Sequence, residues 1–277
     1  MKKIIFFVVC LLISASVFSQ DSLDHSISQN DSIIASKNAK LGERSIGKTM
    51  TKTNGDSAYI KNDYATAIQI YESLLKKGES ANIYYNLGNS YYKSGEIAKA
   101  ILNYERALLL QPGNNDIRSN LDIARSKTID KVEPIPELFF ITWIKAIINI
   151  MNIDAWAVCG IVSFIFFVIA IYFFFFSSRI SYKKICFISG ILFFIISVLS
   201  NVFAFYQKSI LENRNSAIVM LPSVTIRSTP SENGTSLFIL HEGRKVIIKD
   251  ATMKEWKEIQ LEDGKVGWIK TDEIEII

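Results

Sequence analysis

Two runs without a charged residue, Ala155 to Phe176 and Ile185 to Tyr206, limit what this chain can fold into. At about 1.5 Å of rise per residue, roughly 22 residues of helix reach about 33 Å, enough for a hydrocarbon layer about 30 Å thick. A helix that is apolar on every face over such a length needs a large core to bury it, and the rest of the 277 residues supplies none. The pair predicts a transmembrane hairpin, 155–176 and 185–206, joined by a loop at 177–184 that carries Arg179, Lys183 and Lys184. Basic loops favour the cytoplasm, so both flanks of the hairpin are expected outside.

The N-terminus points the same way. Residues 1–19 have the parts of a signal peptide: Lys2 and Lys3, an apolar run from Ile4 to Ile13, and small residues ending at Ser19. Cleavage is expected there, the alternative being an uncleaved anchor. Residues 20–44 are rich in Ser, Asn, Asp and Lys without a sustained period and read as a disordered tether. Before the hairpin, residues 131–154 contain Pro134 and Pro136 and then an apolar stretch broken only by Thr142, Lys145, Asn149 and Asn152, which share one helical stripe. That pattern suits an amphipathic helix lying in the membrane interface, with Trp143 and Trp156 at the headgroups. A third short span is the alternative. Asp154 is expected to cap the first spanning helix.

Inside the spans, Cys159, Gly160, Ser163 and Ala170 face the problem of close helix packing from one side, and Gly190, Ser197, Asn201 and Ala204 from the other. Ser163, Ser197 and Asn201 are the expected helix contacts, Asn201 bonding at the depth of Cys159 to Ser163 or to a partner's helix. No Asp, Glu, Lys, Arg or His lies within the spans, so a proton or ion pathway has no carrier. Cys159 and Cys186 fall toward opposite ends of an antiparallel pair and are expected as free thiols.

Residues 45–130 carry internal periodicity. Tyr84, Leu87, Gly88, Tyr91, Ala100, Tyr104, Ala107 and Pro112 fall at the signature spacings of the tetratricopeptide repeat, two antiparallel helices with small residues where they approach. A poorer copy precedes it: Gly55, Ala67, Tyr71 and Leu74 align with Gly88, Ala100, Tyr104 and Ala107 at a shift of 33, with Thr51 and Asn54 where large apolar residues belong. Asn115 to Lys127, with Ile117, Leu121 and Ala124 on one face, reads as the polar-backed cap of the stack. Such repeats resemble peptide-binding modules whose concave face uses the first helix of each repeat. That face is expected to hold Asn82, Tyr85, Asn86, Asn89, Tyr92 and Lys93, with Lys52 nearby.

Residues 207–277 switch to short alternating runs, seven strand candidates separated by turns at Asn233-Gly234, Glu242-Gly243 and Asp263-Gly264. They predict a small all-β barrel. Thr225 to Pro230, Leu240 to Gly243, Trp256 and Asp263 to Trp268 resemble the bacterial SH3-like domain. Trp256 and Trp268 are its candidate ligand surface, or else close its core; His241 reads as a turn residue. The fold class expected for the whole is a multi-domain membrane protein: an all-α repeat platform, a transmembrane helical hairpin and an all-β SH3-like barrel.

The formal charge of +4 is small and its Lys and Arg are scattered, which argues against a nucleic-acid partner. No phosphate loop, nucleophile pair or metal-spaced cluster is present in the sequence, so no catalytic, cofactor or metal residues are expected. The order of parts, with Tyr71-Glu72-Ser73-Leu74-Leu75, Tyr84-Tyr85-Asn86-Leu87-Gly88-Asn89 and Leu240-His241-Glu242-Gly243, resembles the BatE-like family of the Bacteroides aerotolerance operon. The resemblance implies a non-enzymatic protein of the inner membrane whose two modules face the periplasm. Its partners would be envelope proteins, including membrane proteins with von Willebrand A-type domains, and the lipid bilayer. The alternative is a cell-wall sensor or anchor that holds peptidoglycan through the SH3-like domain.

Overall fold

The computed structural model describes residues 51–130 and 139–277; the expected signal peptide, the tether and the proline-bearing linker lie outside them. The first layer is α1 (Lys52–Ile60), α2 (Tyr64–Leu75), α3 (Ala81–Ser94), α4 (Ile97–Leu110) and α5 (Asn115–Arg125). The helices form two antiparallel pairs and a last single helix. Thr51, which the sequence reads as a poor core residue, caps α1 by accepting from the Asn54 N–H, and Asp63 and Asn114 cap α2 and α5 in the same way. Gly95 ends α3 in the left-handed region at φ 88°, and Asn62 takes φ 61° at the corresponding turn of the first pair. Within each pair a tyrosine ring packs against a glycine. A Cβ on Gly88 would stand 2.7 Å from the Tyr104 ring, and one on Gly55 would stand 2.6 Å from the Tyr71 ring.

Beyond the linker come α6 (Phe139–Ile148), α7 (Ile153–Phe176) and α8 (Ile180–Glu212). The last two are long and apolar enough to cross a membrane, and only 17% of the most apolar window of each is buried, unlike the core helix of a soluble protein. They pack on each other through Gly160, Ser163 and Ala170 of α7 and Gly190, Ser197 and Ser200 of α8. The bond between them is Ser197 Oγ–H to the Gly160 carbonyl, at 3.0 Å. Asn201 instead donates to the Ser197 carbonyl one turn back in its own helix, at 2.8 Å, because that carbonyl lies within reach of so short a side chain. Its amide rests over Gly160, where a Cβ would come within 2.9 Å.

Two boundaries differ from expectation. The cap of α7 is Asn152, whose side chain accepts from the Ala155 N–H at 3.0 Å; the helix starts at Ile153, so Asp154 sits inside its first turn and meets the positive end of the helix dipole. Only Ser177 to Arg179 separate α7 from α8, which continues past Tyr206 to Glu212 because no glycine or proline interrupts residues 191–212. Cys159 and Cys186 are free.

The C-terminal part is antiparallel: β1 (Ser216–Val219), β2 (Ser223–Arg227), β3 (Ser236–His241), β4 (Lys245–Asp250), β5 (Trp256–Gln260), β6 (Val266–Lys270) and β7 (Ile274–Ile276). All seven strand candidates are strands. Their order, β3-β2-β6-β5-β4-β1-β7, leaves β3 and β7 at unpaired edges, so the sheet is open where a closed barrel was expected. One cause is visible at β7. It has three residues, and Arg106 of α4 donates to the Ile276 carbonyl and pairs with Glu275 at 3.0 Å, so a helix stands beside this edge strand.

The sheet and the repeats share a core: Ile218 and Ile277 are buried in the same cluster as Ile101, Tyr104 and Leu121. Gly243, at φ 82°, lets the β3–β4 turn close on Thr128 and Ile101, where a Cβ would meet methyl carbons at 2.7 and 2.9 Å. Glu105 holds Lys245 at 2.8 Å and also Arg125. The Asp130 carboxylate meets both the His241 N–H and its Nδ1, each at 2.8 Å, so this residue clamps the sheet to the segment that follows the cap helix. Arg214 reaches Glu79 at 2.8 Å. The sheet thus covers α4 and leaves the opposite side of the repeats, built from α1, α3 and α5, open.

Candidate functional site: the repeat groove

The shift of 33 residues that aligns the glycines also aligns Asp56 with Asn89 and Tyr59 with Tyr92. Each buried tyrosine passes its hydroxyl through to the groove and fixes the polar residue there. The Tyr71 hydroxyl donates to Asp56 Oδ1 at 2.7 Å, and the Tyr104 hydroxyl to Asn89 Oδ1 at 2.7 Å. Neighbours complete each floor group. Asn86 Nδ2 donates to Asp56 Oδ1 at 3.0 Å, while Asn120 Nδ2 of the cap helix donates to Asn89 Oδ1 at 2.9 Å and to the Tyr85 hydroxyl at 3.0 Å.

Burial, then the hydrogen-bonded Asp56 carboxylate, pushes the Tyr71 hydroxyl well above its ordinary value, and burial does the same for Tyr104. Both remain donors at neutral pH. Burial would raise Asp56, yet hydrogen bonds from Lys52, Tyr71 and Asn86 outweigh it and hold the carboxyl below its usual range. The floor therefore carries one fixed anion at the first repeat and a neutral carboxamide at the second.

Two adjoining clefts result. One, of about 330 Å³, is lined by Tyr59, Tyr85, Asn89, Tyr92, Lys93, Tyr104, Asn120 and Ile123; the other, of about 210 Å³, includes Asp56, Asn86 and Asn89. Of the residues expected on this face, Tyr85, Asn89, Tyr92 and Lys93 come together in the first cleft and Asn86 in the second, while Asn82 is exposed and lines neither. Lys52 is paired with Asp56 at 2.8 Å. Asp56, Tyr59, Asn120 and Ile123 belong to the groove and were missed. The 33-residue shift contains the signal for the first two, since it maps them onto Asn89 and Tyr92. Phenol hydroxyls and fixed carboxamides offer both donors and acceptors to a peptide backbone, and Lys93 at the rim offers a cation to an acidic group.

At the sheet, the two indoles part company. Trp256 is 8% exposed with Lys270 above its ring, beside a cleft of about 450 Å³ that includes Glu232 and Asp272; Trp268 is half-buried and does not line that cleft. Among the described residues there is no group of three or more His, Cys, Asp or Glu placed to hold a metal ion. Residues 81–114 match the family model of the tetratricopeptide repeat, a protein-interaction fold. A comparison with curated proteins finds no match.

Proposed function

We propose that the chain is a membrane-anchored scaffold that holds a peptide segment of another protein in the repeat groove. The groove itself carries this reading: aromatic and carboxamide side chains, fixed by buried tyrosines, line a concave face that the sheet leaves open. The hairpin supports the anchor, since most of its apolar surface is left uncovered by the described residues. The charge of Arg179, Lys183 and Lys184 supports a cytoplasmic loop with both modules in the periplasm of the inner membrane. The order of modules, which resembles the BatE-like family and its SH3-like domain, supports an envelope complex of the aerotolerance type, with von Willebrand A-type membrane proteins as partners.

A photo-crosslinking residue at Tyr92 in the full chain, in native membranes, tests the groove. An adduct with a membrane or envelope protein is expected, and it should be lost when Tyr85→Ala and Lys93→Glu are added. An adduct indifferent to both changes, or none, refutes the groove. The cleft beside Trp256 favours a second reading, a cell-wall anchor holding peptidoglycan. Sedimentation of the detergent-solubilised chain with purified sacculi decides it, and material left in the supernatant removes it.

A further inference from the structure

We propose that the cleft where the repeats meet the base of the hairpin binds a phospholipid headgroup carrying a hydrogen-bond donor beyond its phosphate, with phosphoethanolamine as the fitting chemistry. The inference rests on the membrane reading above. The cleft, about 230 Å³, lies between Leu109, Pro112 and Arg118 on the repeat side and Asn149, Gln207 and Ile210 on the hairpin side. Gln207 follows the apolar run of α8 by one residue, which sets the cleft at the depth of headgroups.

Gln207 is 7% exposed, and its Nε2 donates to two backbone carbonyls, Ile148 at 2.7 Å and Met151 at 2.8 Å. Those two acceptors settle which end is the nitrogen, because the reverse placement would set oxygen against oxygen. Oε1 is then buried without a donor. A buried carboxamide oxygen left in that state is destabilising unless a donor reaches it. On the other wall the Arg118 guanidinium is steadied by the Pro112 carbonyl at 2.8 Å, and it makes no ion pair among the described residues. Glu105 also lines the cleft, but its carboxylate is occupied by Arg125 and Lys245, so it does not oppose an incoming phosphate.

A cation, an acceptor in need of a donor, and an apolar wall of Leu109 and Ile210 match the three parts of such a lipid: phosphate, ammonium and glycerol with its first methylenes. One water would satisfy Gln207 but would use neither Arg118 nor the apolar wall. Choline lipids share the phosphate and lack the N–H.

The full chain is placed in bilayer discs holding equal amounts of phosphatidylethanolamine and phosphatidylcholine, and the lipid retained after transfer to detergent is measured by native mass spectrometry. The ethanolamine lipid should be enriched about tenfold, the weight of one charge-assisted hydrogen bond. Arg118→Gln, at an exposed position, should abolish that retention while the chain stays folded. Equal retention of the two lipids, or retention unchanged in Arg118→Gln, overturns the proposal. Competition by free phosphoethanolamine at matched concentration would assign the site to a soluble ester and overturn the lipid source. Alkaline carbonate extraction separates the two readings. A chain released into the soluble fraction sinks the membrane reading itself, whereas a chain that stays in the membrane without lipid preference sinks only this site.

Discussion

Gly88→Ala tests the packing on which the groove depends. Two effects oppose each other. Alanine inside a helix is favoured over glycine by about 1 kcal/mol, so an exposed site would gain stability. Here the new methyl would stand 2.7 Å from Cδ1 and Cε1 of Tyr104 and 3.3 Å from the Ala100 carbonyl oxygen. The ring cannot swing aside, being 1% exposed and tied by its hydroxyl to Asn89 at 2.7 Å. Overpacking of that kind costs about 1–3 kcal/mol, and a rigid ring places it in the upper half of the range. The net expectation is destabilisation of about 1–2 kcal/mol, with the Tyr104–Asn89 bond displaced. Hydrogen exchange of the full chain in detergent reads this locally: amides of α3 and α4 should exchange about tenfold faster, since 1.4 kcal/mol is a factor of ten. In a Tyr104→Leu background the clash is gone and the same substitution should slow exchange. Unchanged exchange in the single variant, or no reversal in the double, would refute the account of Gly88 as a seat for the ring.

Glu105→Ala should loosen the sheet from the repeats by about 1–3 kcal/mol, because two cations, each partly open to solvent, lose one buried carboxylate; faster exchange in β1 and β4 with α7 unchanged is the check. The Arg214 hydrogen bond holds Glu79 below its ordinary 4.5, with burial opposing. A lowered carboxylate stabilises the fold fully above about pH 4.5 and loses that contribution as pH falls through the lowered value, so docking should weaken on acidification below 4.5, and Arg214→Gln should flatten the profile. Gly95→Ala meets no atom within 4 Å but must hold φ 88°, so a loss of about 1 kcal/mol without any change at Tyr104 is expected from exchange at the end of α3. Gly160→Leu would drive a side chain into the Asn201 amide, and a disulfide-trapping pair across the hairpin should then form more slowly.

Legibility followed sequence distance. The strands were readable because alternation and Gly turns are local, and the second repeat because Gly88, Ala100 and Tyr104 lie within one repeat. The first repeat looks poor at Thr51 and Asn54, and at Thr51 the reason is that it caps α1, which a list of apolar positions cannot show. Of the six residues expected on the open face, all but Asn82 line its two clefts. Asn120 escaped because its partner Tyr85 is 35 residues away on another helix. The clamps of the sheet on the helices were invisible for the same reason, the His241–Asp130 pair spanning 111 residues and Arg106–Glu275 spanning 169. The local rule for Asp154 failed by two residues, and Asn201 found its own helix before the neighbouring one.

Helix α8 runs without a break for 33 residues, about 50 Å, and only Asn213 to Asn215 separate its end from the first strand. It is a lever with one arm at the basic loop and the other against the repeats, where Arg214 grips Glu79. A tilt of about 5° would carry its far end about 4 Å, more than a hydrogen bond survives. A change in its slant would therefore be felt where Arg214 meets Glu79, two residues before α3.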